Sequence, residues 1–226
     1  MLTIRLVRPG EDMAVVIEFY LRQSQSYAEF SAEKAVYTPT ETEVADGSVY
    51  YVVAHDCDSG ALCGGLRIHL RSPGTPLPVE RALTNERRLH QVLEGHLMDG
   101  LAEMSGLWVG VHLRGTGLSS QLMRTGIAAM PLLGVQKVLA FTHQHVLDFW
   151  TPLGFYFDPR VARTYSYPDA RYESRIIWID PDELTCAEPG ERAKIRELRE
   201  CLDQGHTIYW PHEPVRDRVA LVGQLG

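Results

Sequence analysis

Long apolar runs, paired cysteines and clustered basic residues are all missing from this 226-residue chain. No stretch reaches the roughly 18 consecutive apolar residues that a membrane-spanning helix needs. The first residues carry Arg5, Arg8, Glu11 and Asp12, where a secretion signal requires an apolar core. Together these absences predict a cytoplasmic protein with no membrane partner. The only cysteines are Cys57, Cys63, Cys186 and Cys201. They form no CxxC pair and have no histidine at zinc-site spacing, so they read as isolated thiols in a reducing compartment, with no metal site. Net charge is −7, from 22 Lys+Arg against 29 Asp+Glu, and the longest basic run is Arg87-Arg88. A nucleic-acid partner is therefore not expected. The hydrophobic share, 45%, is high enough to build a core and excludes wholesale disorder.

What is present is an alternation of strand and helix signals. Leu2–Val7 alternates apolar and polar residues, as a half-buried strand does. Pro9-Gly10 breaks it, and Glu11-Asp12 opens a helix with Met13, Val16, Ile17 and Tyr20 at helical spacing. A second short helix is expected within 24–46. Val49–Ala54 and 61–70 read as a hairpin around the turn at 55–60, with Gly64-Gly65 marking a bulge or a close backbone approach. The proline-rich residues 72–80 read as a loop and 86–97 as a helix. A strand over 101–109, a glycine-punctuated turn over 110–117, a helix over 118–133 and a strand over 135–141 follow. A short helix over 145–153, closing strands over 155–157 and 172–179, and a helix over 193–202 complete the pattern. Strand–helix–strand alternation combined with an early hairpin predicts an α/β (α+β) fold with a mixed sheet.

The stretch with chemical content runs from Leu107 to Leu122. A strand enters a glycine-rich turn that opens a helix, with Arg114, Gly115, Thr116, Gly117, Leu118, Ser119 and Ser120 at the junction. Glycine lets backbone approach a ligand closely. The free N–H groups and dipole of a helix start attract an anion, and Arg114 can add a charge-assisted bond; a pyrophosphate suits such a place. Neither a Walker loop nor a complete GxGxxG fingerprint occurs here.

Arg114-Gly115-Thr116-Gly117-Leu118-Ser119 resembles the Q/R-x-x-G-x-G/A signature of the GNAT superfamily of acyl-CoA-dependent N-acyltransferases, with Ser119 where Gly or Ala is usual. Phe149-Trp150-Thr151-Pro152-Leu153-Gly154-Phe155 is similar to a second pattern of that family, Phe-Tyr-x-x-x-Gly-Phe. The element order over 1–180 also resembles it. The resemblance implies a mixed, mostly antiparallel central sheet flanked by helices, with a split between two central strands. It also implies a pyrophosphate on 114–120 and a pantetheine arm along Leu107, Trp108 and Val109. The co-substrate would be acetyl-CoA or another acyl-CoA, with no metal. An amine would attack the thioester directly, which needs a base and a donor for the oxyanion.

Glu103, on the strand entering the motif, occupies the family's position for the base. His143, just past the next strand, is a second candidate base or acceptor-orienting group. Trp150 stands where the family commonly has a tyrosine acid, and an indole N–H cannot serve as one; Tyr156 is the nearby substitute. Ser105 shares a strand face with Glu103, and Arg67 and His69 share one face of the hairpin strand. Arg67, Ser105 and His145 are the candidate acceptor-binding residues.

Three functions follow. The first is transfer of an acyl group, acetyl foremost, from acyl-CoA to a primary amine of a small molecule or protein. The second is long-chain N-acyl transfer from acyl-CoA or an acyl carrier protein to an amino-acid-like acceptor. It is suggested by the likeness of Glu103-Met104-Ser105 and the Pro76–Glu80 insertion to N-acyl amino acid and acyl-homoserine lactone synthases. The third is a non-catalytic acyl-CoA sensor or scaffold. Residues 1–180 form the expected acyltransferase domain. Residues 181–226 are expected to form a helix and an extended arm on the core or on the partner subunit of a homodimer.

Overall fold

The computed structural model describes residues 1–40 and 47–210. Eight strands form one sheet: β1 (Leu2–Val7), β2 (Val49–Asp56), β3 (Leu62–Leu70), β4 (Leu101–Val109), β5 (Lys137–His143), β6 (Thr164–Tyr165), β7 (Ser174–Ile179) and β8 (Ile208–Trp210). Their order is β6-β7-β5-β4-β3-β2-β1-β8. Every neighbouring pair is antiparallel except β4–β5. This is the mixed, mostly antiparallel sheet expected from the sequence.

Helices cover both faces. They are α1 (Met13–Ala28), α2 (Pro78–Ala82), α3 (Arg87–Gly95), α4 (Leu118–Ala129), α5 (Leu147–Trp150) and α6 (Pro189–Asp203). Asp12 caps α1 by accepting from the Val15 N–H at 3.2 Å, as the acidic start predicted. The Gly64-Gly65 pair marks close approach of helices from opposite sides. A Cβ on Gly65 would lie 2.8 Å from Phe19 of α1, and one on Gly64 would lie 3.2 Å from Leu122 of α4. Adjacent residues of a strand face opposite ways, so α1 and α4 lie on opposite faces. Leu66, Ile68, Ala102, Met104, Val138 and Ala140 pack with α4 and α6 on one side. On the other side Val7, Tyr51 and Val53 pack against α1, and Leu101, Leu139 and Trp178 pack against α2 and α3. Between those two clusters the sheet presents polar residues. Among the described residues no helix is long and apolar enough to cross a membrane.

Several local expectations needed correcting. Helix α1 runs on to Ala28, and beyond it the described residues hold only a 3-10 turn at Glu33–Ala35; residues 41–46 lie outside the described set. The proline-rich loop ends in α2, because Pro78 occupies the first helical position, where its missing N–H costs nothing. Residues 155–157 contribute only a bridge from Tyr156 to Trp178; the closing strand is β6. C-terminal to the sheet's last long strand, α6 packs on α4 and β8 pairs with β1. The rest of the expected arm, 211–226, lies outside the described residues.

Strand β4 is interrupted. Gly65 pairs with Trp108 but Arg67 pairs with Ser105, so Gly106 and Leu107 stand opposite the single residue Leu66. This is a β-bulge, which bends and re-aims its strand. Gly106 adopts φ +66, and a Cβ there would meet the Gln23 Nε2 at 2.6 Å. Gln23 and Tyr27 of α1 hold the bulge, donating to the carbonyls of Gly106 (2.9 Å) and Leu107 (3.1 Å). Gly106→Ala is expected to lower unfolding free energy by about 1–3 kcal/mol, read from urea melts; an unchanged midpoint would contradict a strained bulge.

Candidate functional site

The bulge has a direct consequence for the neighbouring strand. β4 and β5 pair in parallel only over Leu101–Glu103 and Lys137–Leu139, although β4 continues to Val109 and β5 to His143. The strands part beyond Glu103, and the gap opens into a cavity of about 720 Å³. Arg67, Glu103 and Ser105 border it from one face of the sheet. Leu66 and Met104, which alternate with them, and Met123 of α4 border it too. Side chains of both faces therefore meet in one space at the split.

At one end of this space lies the start of α4. Its N-terminal residue position is taken by Gly117 in the left-handed conformation, φ +90, with no side-chain cap. The first helical bond of this turn runs from the Gln121 N–H to the Gly117 carbonyl, at 3.1 Å. The preceding amides, at Leu118, Ser119 and Ser120, are those a helix leaves without internal partners. Arg114, Gly115 and Ser119 border the cavity. The Thr116 hydroxyl is spent on the Leu113 carbonyl at 2.7 Å, and the Leu118 side chain is in the core. Arg114 is not idle: its guanidinium pairs with Glu29 at 2.7 Å, reaches Ser26 Oγ at 3.3 Å and lies over Phe30. An anion bound at α4 would compete with Glu29 for it. An amide cradle beside an arginine fits a diphosphate.

Glu103 sits deeper. It is buried, and its Oε2 accepts from the Val79 N–H of α2 at 2.8 Å. Burial pushes its carboxyl up to about 8, against the opposing pull of the Val79 N–H and of Arg67. A carboxyl of this kind is largely protonated at pH 7 and becomes a base just above it. Beneath it α2 is held in place by Glu80, which accepts from the Leu77 N–H at 2.7 Å and pairs with Arg71 at 2.7 Å.

Across the split, His143 lies between two rings, 4.5 Å from Tyr172 and 5.6 Å from His145. Its Nδ1 is 2.8 Å from Ser174 Oγ, and that hydroxyl donates to the Tyr167 carbonyl at 2.8 Å. With its one proton engaged, Ser174 accepts from Nδ1–H, which leaves the lone pair on Nε2. Burial, helped by His145, holds the His143 pKa below its ordinary value, so the ring is neutral at pH 7.

No family model matches the chain. An uncharacterized protein of Mycobacterium tuberculosis and one of Mycobacterium bovis are each 33% identical over 98 residues, which is 42% of this chain. The match spans 37% of the length of those curated relatives. Solved structures are similar over far more of the chain. FeeM, an N-acyl amino acid synthase from uncultured soil microbes, superposes with TM-score 0.58 at 13% identity, over 82% of this chain and 99% of that one. BjaI, a CoA-dependent acyl-homoserine lactone synthase solved with SAM and isopentyl-CoA, gives 0.57 at 14% identity, over 88% and 90%. Escherichia coli ElaA gives 0.52 at 16% identity, over 79% and 99%.

The chain has the GNAT fold. Within this GNAT fold the residues singled out from the sequence are placed unevenly. Glu103, Ser105, Arg67, Leu107, Trp108, Val109, Arg114, Gly115, Ser119, His143 and His145 all border the cavity. Thr116, Gly117, Leu118 and Ser120 adjoin those residues in sequence but are not among the residues that border the cavity. Tyr156 is apart from it. Its hydroxyl donates to Asp180 at 2.9 Å and accepts from Lys137 at 3.1 Å, and burial raises its pKa. A phenol tied in that way and absent from the cavity wall has no path to a leaving thiolate. Trp150 does border the cavity, buried and edge-on to Phe155 at 4.8 Å. Sequence reasoning missed Tyr27, Tyr37, Val79, Tyr167 and Ser174. None of them carries a catalytic motif of its own, and only tertiary packing brings them to the split. Among the described residues no group of three or more His, Cys, Asp or Glu could hold a metal.

Proposed function

We propose that the chain is an acyl-CoA-dependent N-acyltransferase acting on a primary amine. The observation that carries this reading is the split beside the β4 bulge. It joins an amide-rich helix start, suited to the carrier's diphosphate, to a buried carboxyl that titrates near 8. The GNAT fold supports it, as does the likeness to BjaI, a CoA-dependent synthase.

In this reading the thioester lies in the gap between β4 and β5. Glu103, once ionised, takes a proton from the acceptor's ammonium, directly or through water. The free amine then forms the N–C bond, and the tetrahedral intermediate collapses by breaking C–S. The thiolate leaves and is protonated by solvent, since Trp150 offers no acid. The neutral His143, with its lone pair on Nε2, then receives the second proton from the acylating nitrogen in this reading. A base with a pKa near the working pH combines a useful ionised fraction with useful basicity.

The cavity favours a medium or long acyl chain over acetyl. Leu66, Met104, Leu113, Met123 and Val146 line it, and an acetyl group would leave that surface unfilled.

Two measurements test the reading together: thermal stability with CoA, acetyl-CoA, octanoyl-CoA and ATP, and thiol release with amines. A CoA thioester at about a hundred times its dissociation constant should stabilise by roughly 2.7 kcal/mol, with ATP giving less. Stabilisation without thiol release for any amine would favour the sensor reading instead.

A further inference from the structure

Arg67 is a buried cation that meets the cavity through a hydroxyl. It is 1% exposed and borders the cavity. Its Nη1 donates to the Tyr37 carbonyl at 2.7 Å and to the Tyr20 hydroxyl at 3.2 Å, and its Nη2 donates to Ser105 Oγ at 3.0 Å. These three acceptors are neutral, and a charge buried among neutral groups is costly. Ser105 borders the cavity as well. Its Oγ accepts from Arg67, and its own proton has no acceptor among the described residues. Ser174, across the split, has its proton engaged by the Tyr167 carbonyl. Accepting from a guanidinium draws electron density from Ser105 Oγ, which makes this hydroxyl a poorer nucleophile and a stronger donor.

Ser105 stands where such a donor is needed. β4 pairs with β5 only as far as Glu103, and Ser105 is the next residue of β4 on that face, in the parted region. Charge moves there in a definite order. Arg67 stabilises the ionised form of Glu103. Once that carboxylate takes the ammonium proton it is neutral. The amine's attack forms the N–C bond and drives the carbonyl π pair onto oxygen, so negative charge appears just when Arg67 is no longer offset. Support that grows as charge develops favours the transition state over the ground state. We propose that the Ser105 hydroxyl is the oxyanion donor for acyl transfer, with Arg67 as the positioning residue that polarises it. Ser105 keeps its proton throughout, and the pair on oxygen returns to carbon as C–S breaks. The inference rests on the acyltransferase reading and assigns a catalytic group of that same site.

The experiment uses the full chain and octanoyl-CoA labelled with carbon-13 at the thioester carbonyl. Difference infrared spectra of the bound thioester are paired with thiol release to the most active of glycine, L-leucine, phenethylamine and spermidine. In the unaltered chain the carbonyl stretch should fall below its value in water. Ser105→Ala should return it towards that value and lower kcat by roughly 10²–10³-fold, the range of a lost oxyanion donor. The KM for octanoyl-CoA and the thermal stabilisation it gives should be unchanged. Ser105→Thr, which keeps the hydroxyl, should keep most of the band shift and of kcat. Arg67→Gln should return the band part of the way, and Arg67→Lys should recover some of that loss. A band in Ser105→Ala that coincides with the parent's overturns the inference even if kcat falls, because a packing or acceptor-binding role would leave the carbonyl untouched; acyl transfer then stands. A parent band at its value in water overturns it without any variant. Thiol release to none of the amines, despite stabilisation by octanoyl-CoA, overturns both.

Discussion

Replacing Glu103 with Gln is expected to lower kcat/KM by roughly 10²–10⁴-fold, the range of a lost general base, while leaving stabilisation by acyl-CoA unchanged. The pH profile separates a base from a structural residue. In the unaltered chain, kcat/KM expressed against free amine should rise with pH and level off above about 8, the value to which burial pushes this carboxyl. In the variant the rise should vanish. Stability should move the other way. The folded pKa lies above the unfolded one, so folding holds the proton more tightly. The contribution of Glu103 to stability is therefore complete below about pH 4.5. It is lost progressively as pH climbs to about 8. Glu103→Gln carries no such proton and can still accept from the Val79 N–H. It should be more stable than the parent at pH 9, by up to a few kcal/mol, and close to parity at pH 4. An unchanged pH–rate slope in the variant would remove Glu103 from the chemistry.

Lengthening the acyl chain is expected to have an effect of similar size. From acetyl- to octanoyl-CoA, kcat/KM should rise by on the order of 10²–10³-fold. Each methylene buried against apolar wall contributes about 0.8 kcal/mol, part of which is offset by ordering the chain. The wall in question is Leu66, Met104, Leu113 and Met123, set between the split strands and α4. Met123→Phe should shorten the usable space, cutting octanoyl use at least tenfold by a rough overpacking argument while sparing acetyl. Equal use of acetyl and octanoyl thioesters would return the preference to acetyl.

Much of the glycine-turn end of the cavity was legible because its signal is local. A strand, a glycine turn and a helix start occupy adjacent residues, and a helix start binds anions for reasons contained in its own backbone. The period of a strand likewise placed Glu103 with Ser105, and Arg67 with His69, before any fold was known. The closing strand was misplaced for the opposite reason. Phe155-Tyr156-Phe157 has strand-like composition, but only Tyr156 bridges β7, at Trp178, while the paired strand at the other end of β7 is Thr164–Tyr165. The α2 helix was hidden because a proline signals a break, whether it ends a helix or opens one.

The sequence by itself determined the strand–helix alternation, the glycine-rich turn before a helix and the two-residue periodicity that pairs Glu103 with Ser105 on one strand and Arg67 with His69 on another. These depend on neighbours a few positions apart, while the register of those two strands put all four on one face. Only the tertiary structure decided that β4 and β5 separate beyond Glu103 and that Tyr156 turns away to Lys137 and Asp180. It also decided that the amide of Val79, 24 positions from Glu103, sits on that carboxyl. Desolvation is a property of what covers a group, and α2 covers Glu103 from a distant part of the chain. The same packing buries Arg67 against Tyr20, the Tyr37 carbonyl and Ser105, which no pattern in the sequence could specify.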